Sequence, residues 1–298
     1  MLIGESAALI TAFCWSFGSI LFTIGSTRLG SVVVNRIRLV FAFILLVPTN
    51  FILTGQLIPL SASAESWFWL GLSGIVGFTL GDTMLFQAFV MLGTRITMLI
   101  MSLVPVIGAF SAWVFLGERL SVLEIASIAI VIGGISSVVI LRHIESEQTN
   151  RRHMILGIFL ALGGAMGQAG GLILSRKGMT GDLSALSANV IRVGVAMITI
   201  WLATLFMGKV KYTIGRLSDK KGTLVTFAAS VMGPFLGVWM SLVAIKYAKI
   251  GVASAIMALP PILILPLVYV AFKEKVSRGA IIGTVVAVGG TILLFIGK

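Results

Sequence analysis

The chain has 298 residues, 58% of them Ala, Val, Ile, Leu, Met, Phe, Trp, Tyr or Cys and a further 34 Gly. Charged residues make up 11%, against about 25% in a soluble domain, and a mean hydropathy of +1.11 points to lipid as the solvent. The net charge of +12 does not indicate nucleic acid, because no basic stripe with interleaved aromatics exists, and Cys14, the single cysteine, excludes an intramolecular disulfide or a thiolate metal cluster.

In chain order, residues 1–5 lack a basic leader and precede a run of spanning length, which reads as an uncleaved first helix rather than a signal peptide. Uncharged runs over 6–27, 39–64, 96–117, 125–141, 154–175, 222–245, 250–272 and 279–297 are each near or above the roughly 20 residues a helix needs to cross a bilayer. Two further runs, 66–94 and 183–208, qualify if Asp82 and Arg192 are tolerated inside them. That predicts ten transmembrane helices. Helices are the required form because lipid offers no partner for a backbone N–H or C=O. The fold class is therefore an all-α polytopic membrane protein.

The chain matches itself at an offset of about 155 residues. Asn35, Arg38 and Ala42 fall on Asn189, Arg192 and Ala196, while Gly77, Gly81, Pro105, Glu118, Gly133 and Gly134 fall on Gly233, Gly237, Pro261, Glu274, Gly289 and Gly290. Five helices per copy is an odd number, so the second copy enters the membrane from the opposite side. Such inverted-topology repeats are characteristic of secondary transporters. The domain reading is a first repeat over 1–142, a charged linker over 143–153 and a second repeat over 154–298.

The stretch 81–134, GDTMLFQAFVMLGTRITMLIMSLVPVIGAFSAWVFLGERLSVLEIASIAIVIGG, joins a glycine-rich helix, a proline-centred helix, a Gly-Glu-Arg turn and a Gly-Gly helix. It resembles the drug/metabolite transporter superfamily, and within it the ten-helix EamA-type carriers. The second copy departs from that pattern at its turn, with Lys-Glu-Lys at 273–275 in place of Gly-Glu-Arg. The resemblance implies a bundle around a central cavity and metabolite transport, often export.

Asp82 is the one acid far from any predicted helix end and has Val238 as its repeat mate. An ionised group at that depth needs water or a partner, so it is read either as an internal ion pair or as the group that couples protons or captures a cation. Arg38 and Arg192, each three residues after an Asn (Asn35, Asn189), are read as snorkelling or capping residues, or as a fork for an anionic group. Trp15, Gln168, Gln87 and Trp239 sit mid-helix on segments that the resemblance places around the cavity, where they would supply stacking area and hydrogen bonds or else fill the core. Pro105 and Pro261 each remove one helical hydrogen bond and mark a kink or hinge. Arg36, nearer the helix boundary, is expected to face headgroups.

No catalytic constellation can be assembled: the two histidines, His143 and His153, both lie in the linker, and no phosphate-binding loop supports ATP use. No cofactor and no metal is expected. The expected partners are a small-molecule substrate, membrane lipid and protons as the coupling ion, in a monomer or homodimer in the cell membrane. A passive channel or scramblase-like conduit, and a non-transporting scaffold, are the alternatives. Six Lys and Arg lie in loops on the side of the termini and thirteen on the other side. The positive-inside rule then makes the side opposite the termini cytoplasmic, whereas the resemblance implies cytoplasmic termini; the two disagree.

Overall fold

The computed structural model of the chain describes residues 2–116, 121–145, 151–181, 183–248, 250–274 and 276–296, which leaves the Gly-Glu-Arg turn and Lys275 outside the described residues. Among the described residues every regular element is a helix. The first repeat contains α1 (Leu2–Leu29), α2 (Ser31–Thr54), α3 (Ala64–Gly74), a π-helical turn (Ile75–Gly81), α4 (Asp82–Leu92), α5 (Thr94–Ile100), a 3₁₀ turn (Met101–Leu103), α6 (Val104–Leu116) and α7 (Val122–Glu145). The second contains α8 (Arg151–Gly178), α9 (Ala185–Phe206), the short α10 (Val210–Arg216), α11 (Lys220–Ser230), a second π turn (Val231–Gly237), α12 (Val238–Tyr247), α13 (Ile250–Met257), α14 (Pro260–Phe272) and α15 (Arg278–Ile296). Among the described residues eight helical stretches are long and apolar enough to cross a membrane, and α14 and α15 are shorter apolar helices.

Local chemistry sets the ends. Gly30 (φ 96°) and Gly93 (φ 78°) let α1 reverse into α2 and α4 into α5 within one residue, a backbone conformation that a Cβ disfavours. Ser63, Ser184 and Asp219 cap α3, α9 and α11 by accepting from the backbone N–H of Ser66, Ser187 and Gly222. Ser121 and Glu124 form a reciprocal capping box on α7. The second helix starts at Ser31, not at residue 39, because Arg36 and Arg38 are buried inside it. Arg36 does not face headgroups: its Nη1 donates to Thr213 Oγ1 of α10 at 2.8 Å.

The repeats are inverted, and helix pairs that correspond to one another show it directly. α2 and α9 pack antiparallel: Trp201 Nε1 donates to the Arg36 carbonyl, Gly194 lies under Phe43, and Ser187 Oγ donates to Asn50 Oδ1. α7 and α15 do the same through their glycine pairs, with Gly134 against Ala287 and Gly290 against Ile130 and Val131. Equivalent helices running in opposite directions across one contact require a twofold axis in the membrane plane. The two π turns also correspond, Ile75–Gly81 to Val231–Gly237.

Small residues set the spacing of the rods. The α3–α4 rod crosses α8 where Gly81 meets Gly167 and Gly77 meets Gly171; a Cβ on Gly167 would sit 2.5 Å from the Gly81 Cα. Such contact supplies van der Waals attraction where lipid provides no hydrophobic drive between helices. In the other half Gly233 and Gly237 receive the Phe22 and Trp15 side chains.

Candidate functional site

Between the rods lies a cavity of about 1050 Å³, at the upper end of volumes that hold drug-sized ligands. Its wall is largely apolar (Leu85, Met98, Met101 and Met257 among others), with a few polar groups: Ser19, Arg38, Asp82, Ser102, Ser111 and Gln168. On the side of the termini it extends to Arg176 and Lys177, both exposed at the end of α8.

Toward the linker side it is closed in layers. Phe22 stacks on Phe86 at 4.6 Å and Phe86 on Phe89 at 6.0 Å. Beyond these rings the Thr23 and Thr94 hydroxyls hydrogen-bond at 2.7 Å. Outermost, two ion pairs join one repeat to the other: Arg28 to Asp219 at 2.9 Å through two hydrogen bonds, and Arg95 to Glu274 at 2.9 Å. The Arg28 guanidinium and the Gly222 N–H hold the Asp219 carboxyl below its ordinary range.

The polar centre is built by the two π turns. Such turns gather at functional sites, and in each repeat an Asn reaches across to a carbonyl of the turn. Asn35 Nδ2 donates to the Phe78 carbonyl at 3.0 Å, and Asn189 Nδ2 to the Pro234 carbonyl at 2.8 Å. Asn35 makes two further bonds, donating to Thr83 Oγ1 and accepting from Arg38 Nε at 2.8 Å. Arg38 Nη2 then pairs with Asp82 Oδ2 at 2.5 Å, both side chains being buried. Asp82 thus meets a partner inside the bundle while still lining the cavity.

Aromatic rings surround the guanidinium groups. Arg38 lies 4.8 Å from the Phe86 centroid, 5.5 Å from Phe22 and 5.6 Å from Phe78, and Arg192 approaches the same Phe78 ring at 4.7 Å. Such faces attract cations best where water is excluded. Arg192 also interacts electrostatically with Asp82.

Of the residues singled out from sequence, Asp82, Arg38, Trp15, Gln168, Pro105 and Pro261 line the cavity. Asn35 and Asn189 brace the π turns behind it, and Arg192 sits behind Phe78. Gln87 is turned away and accepts from Ser31 Oγ at 2.5 Å, while Trp239 packs beside Phe235 at 6.1 Å. Pro105 follows the 3₁₀ turn of 101–103, and Pro261 sits in the first turn of α14 behind the break at Ala258–Leu259, so each proline stands at an interruption of its rod. The Phe22–Phe86–Phe89 stack and the two inter-repeat ion pairs carried no signal in the sequence, since apolar rings are indistinguishable from core within an apolar run.

An all-α bundle of two inverted repeats around a largely apolar cavity with a buried charged centre defines a multi-pass membrane protein of transporter architecture. The EamA-like transporter family model matches the chain twice, over residues 2–140 and 155–296, and the chain belongs to that family. No curated protein matches it. A solved chain described only as a protein crystal structure superposes with a TM-score of 0.61 over 97% of this chain and 96% of its own, at 16% identity, a likeness of fold alone.

Proposed function

We propose that the protein is a secondary transporter that moves a small metabolite by alternating access, with export as its direction and the cell membrane as its location. The observation that carries this reading is the one-sided closure of the cavity. The linker face is sealed by rings, hydroxyls and two ion pairs that join the repeats, whereas the other face leads to Arg176 and Lys177. A continuous conduit needs no such seal, and a scaffold needs no cavity. Inverted repeats supply the means of exchange, since swapping the conformations of the two halves opens the sealed face and closes the open one.

The ten-helix reading takes α13 and α14 together as the ninth span and α15 as the tenth. The working halves are residues 1–142 and 154–298, joined by 143–153, in a monomer or homodimer. Asp82 is the coupling group: it faces the cavity and pairs across to Arg38, so a proton arriving from the cavity breaks a contact between two helices and links occupancy to conformation. Trp15 and Gln168, repeat mates on α1 and α8, supply stacking and a hydrogen bond to the solute, and Pro105 and Pro261 are the flexible points.

The test is counterflow in proteoliposomes with a radiolabelled panel of amino acids, organic acids and cationic drugs. Saturable uptake accelerated by unlabelled solute inside the vesicles supports a carrier. Linear, non-saturable flux without counterflow overturns it in favour of a channel.

A further inference from the structure

The second repeat has Asn and Arg at the same positions as the first, but neither the Asn–Arg hydrogen bond nor the anion. In the first repeat Arg38 donates Nε to Asn35 Oδ1 and Nη2 to the Asp82 carboxylate. In the second, Arg192 and Asn189 occupy the matching positions, while the place of Asp82 is held by Val238, which lines the cavity. Among the described residues, Arg192 Nε, Arg192 Nη1 and Asn189 Oδ1 are buried without a hydrogen-bond partner, and Arg192 is only 3% exposed. Among the described residues the centre holds two guanidinium groups and one carboxylate, an excess of one positive charge at a depth where charges are paired or face a transported solute.

We propose that Arg192 forms the anion subsite of the transported solute, and that the solute carries a carboxylate on an apolar body. This rests on the transport reading above and names its substrate class. The protein supplies its own example of what the equivalent guanidinium accepts, since Asp82 is the carboxylate paired with Arg38 in the first copy. Guanidinium binds a carboxylate through parallel N–H donors, and Nε with Nη2, or Nη1 with Nη2, is the available fork. The apolar body follows from Leu85, Met98, Met101 and Met257 in the cavity wall. The Phe78 ring lies against the Arg192 guanidinium and also lines the cavity, so the head group displaces that ring as it docks.

The test is ligand-dependent thermal stabilisation of the full-length protein in detergent, with hexanoate, hexylamine and hexanamide as probes that share one body and differ in head group. Hexanoate raises the unfolding temperature in a saturable way, and the amine and the amide do not; inorganic phosphate, which lacks the body, binds at least tenfold more weakly. Arg192→Gln weakens the hexanoate response at least tenfold, with Arg192→Lys in between. Should Arg192→Gln not fold, Val238→Asp decides: it supplies the missing carboxylate, so the apo protein stays folded and hexanoate no longer stabilises it. Equal stabilisation by hexanoate and hexylamine, or an unchanged hexanoate response in Val238→Asp, overturns the proposal. The same titration in neutral detergent with and without phosphatidylglycerol identifies the source of the anion. Loss of the hexanoate response on adding that lipid makes a lipid headgroup the occupant and overturns the solute assignment. Binding needs no flux, so hexanoate held through Arg192 in a protein without counterflow overturns the transport reading alone, while counterflow without any head-group preference overturns this one alone.

Discussion

Asp82→Asn is the perturbation with the largest consequence for the centre of the molecule. Among the described residues the carboxylate is the one anion placed against Arg38, and it also compensates Arg192. Asparagine keeps the shape and one hydrogen bond but leaves two buried guanidinium groups with no countercharge. Removing one partner of a buried pair costs about 3–5 kcal/mol, and here no other acid lines the cavity among the described residues, while Asn35 already accepts from Arg38. The assay is reversible unfolding in mixed micelles, followed by circular dichroism. The double variant Arg38→Gln with Asp82→Asn removes both charges and recovers much of the loss, with a coupling energy of about 1–3 kcal/mol. In that folded double variant the pH dependence of transport is gone. A single Asp82→Asn variant within about 0.5 kcal/mol of the parent, or strictly additive effects in the cycle, refutes the reasoning. A folded double variant whose flux keeps its pH profile assigns the coupling to another group.

The two Asn residues should differ although they are repeat mates: Asn35→Ala breaks three hydrogen bonds and Asn189→Ala one, so at about 1 kcal/mol net per bond the first variant unfolds at a clearly lower denaturant midpoint than the second. Gly74→Ala places its Cβ onto the Arg192 carbonyl and is expected to prevent folded protein from accumulating, whereas Gly108→Ala, with no described atom within 4 Å of its Cβ, is tolerated; size-exclusion profiles separate the two. Asp219, held below its ordinary carboxylate range by Arg28, stabilises the linker-face seal above that range and ceases to do so as pH falls through its folded-state value. The difference in unfolding temperature between parent and Asp219→Asn is thus constant near neutrality and vanishes in acid, and a difference that grows on acidification contradicts the assignment.

The repeat was legible because its marks are residues that a lipid-facing surface does not require: Asn, Arg and Pro at one offset do not arise from apolar composition alone. The start of the second helix was misplaced because charge was read as a boundary, whereas Arg36 and Arg38 are held inside by Thr213, Asn35 and Asp82. Depth along a helix could be read from the sequence, but rotation about its axis could not. Gln87 lies five residues beyond Asp82, about 140° around the rod at 100° per residue, and Trp239 is about 100° from the cavity-lining Val238. The π turns left no trace either, since Phe78 and Pro234 share no residue type and the motif is completed from another helix by Asn35 and Asn189.

The central claim is that the linker face and the opposite face open in turn, and distances between spin labels test it most directly. With Cys14 replaced by Ala, one pair of labels at Thr27 and Ser218 reports the linker face, and a second pair at Lys177 and Tyr247 reports the mouth on the side of the termini; all four positions are exposed. Combining Asp219→Asn with Glu274→Gln removes both ion pairs of the seal. The account predicts that the first distance lengthens while the second shortens, in the same population of molecules. Lengthening on the linker face with the other distance unchanged would describe a pore that opens at one end, and would contradict alternating access.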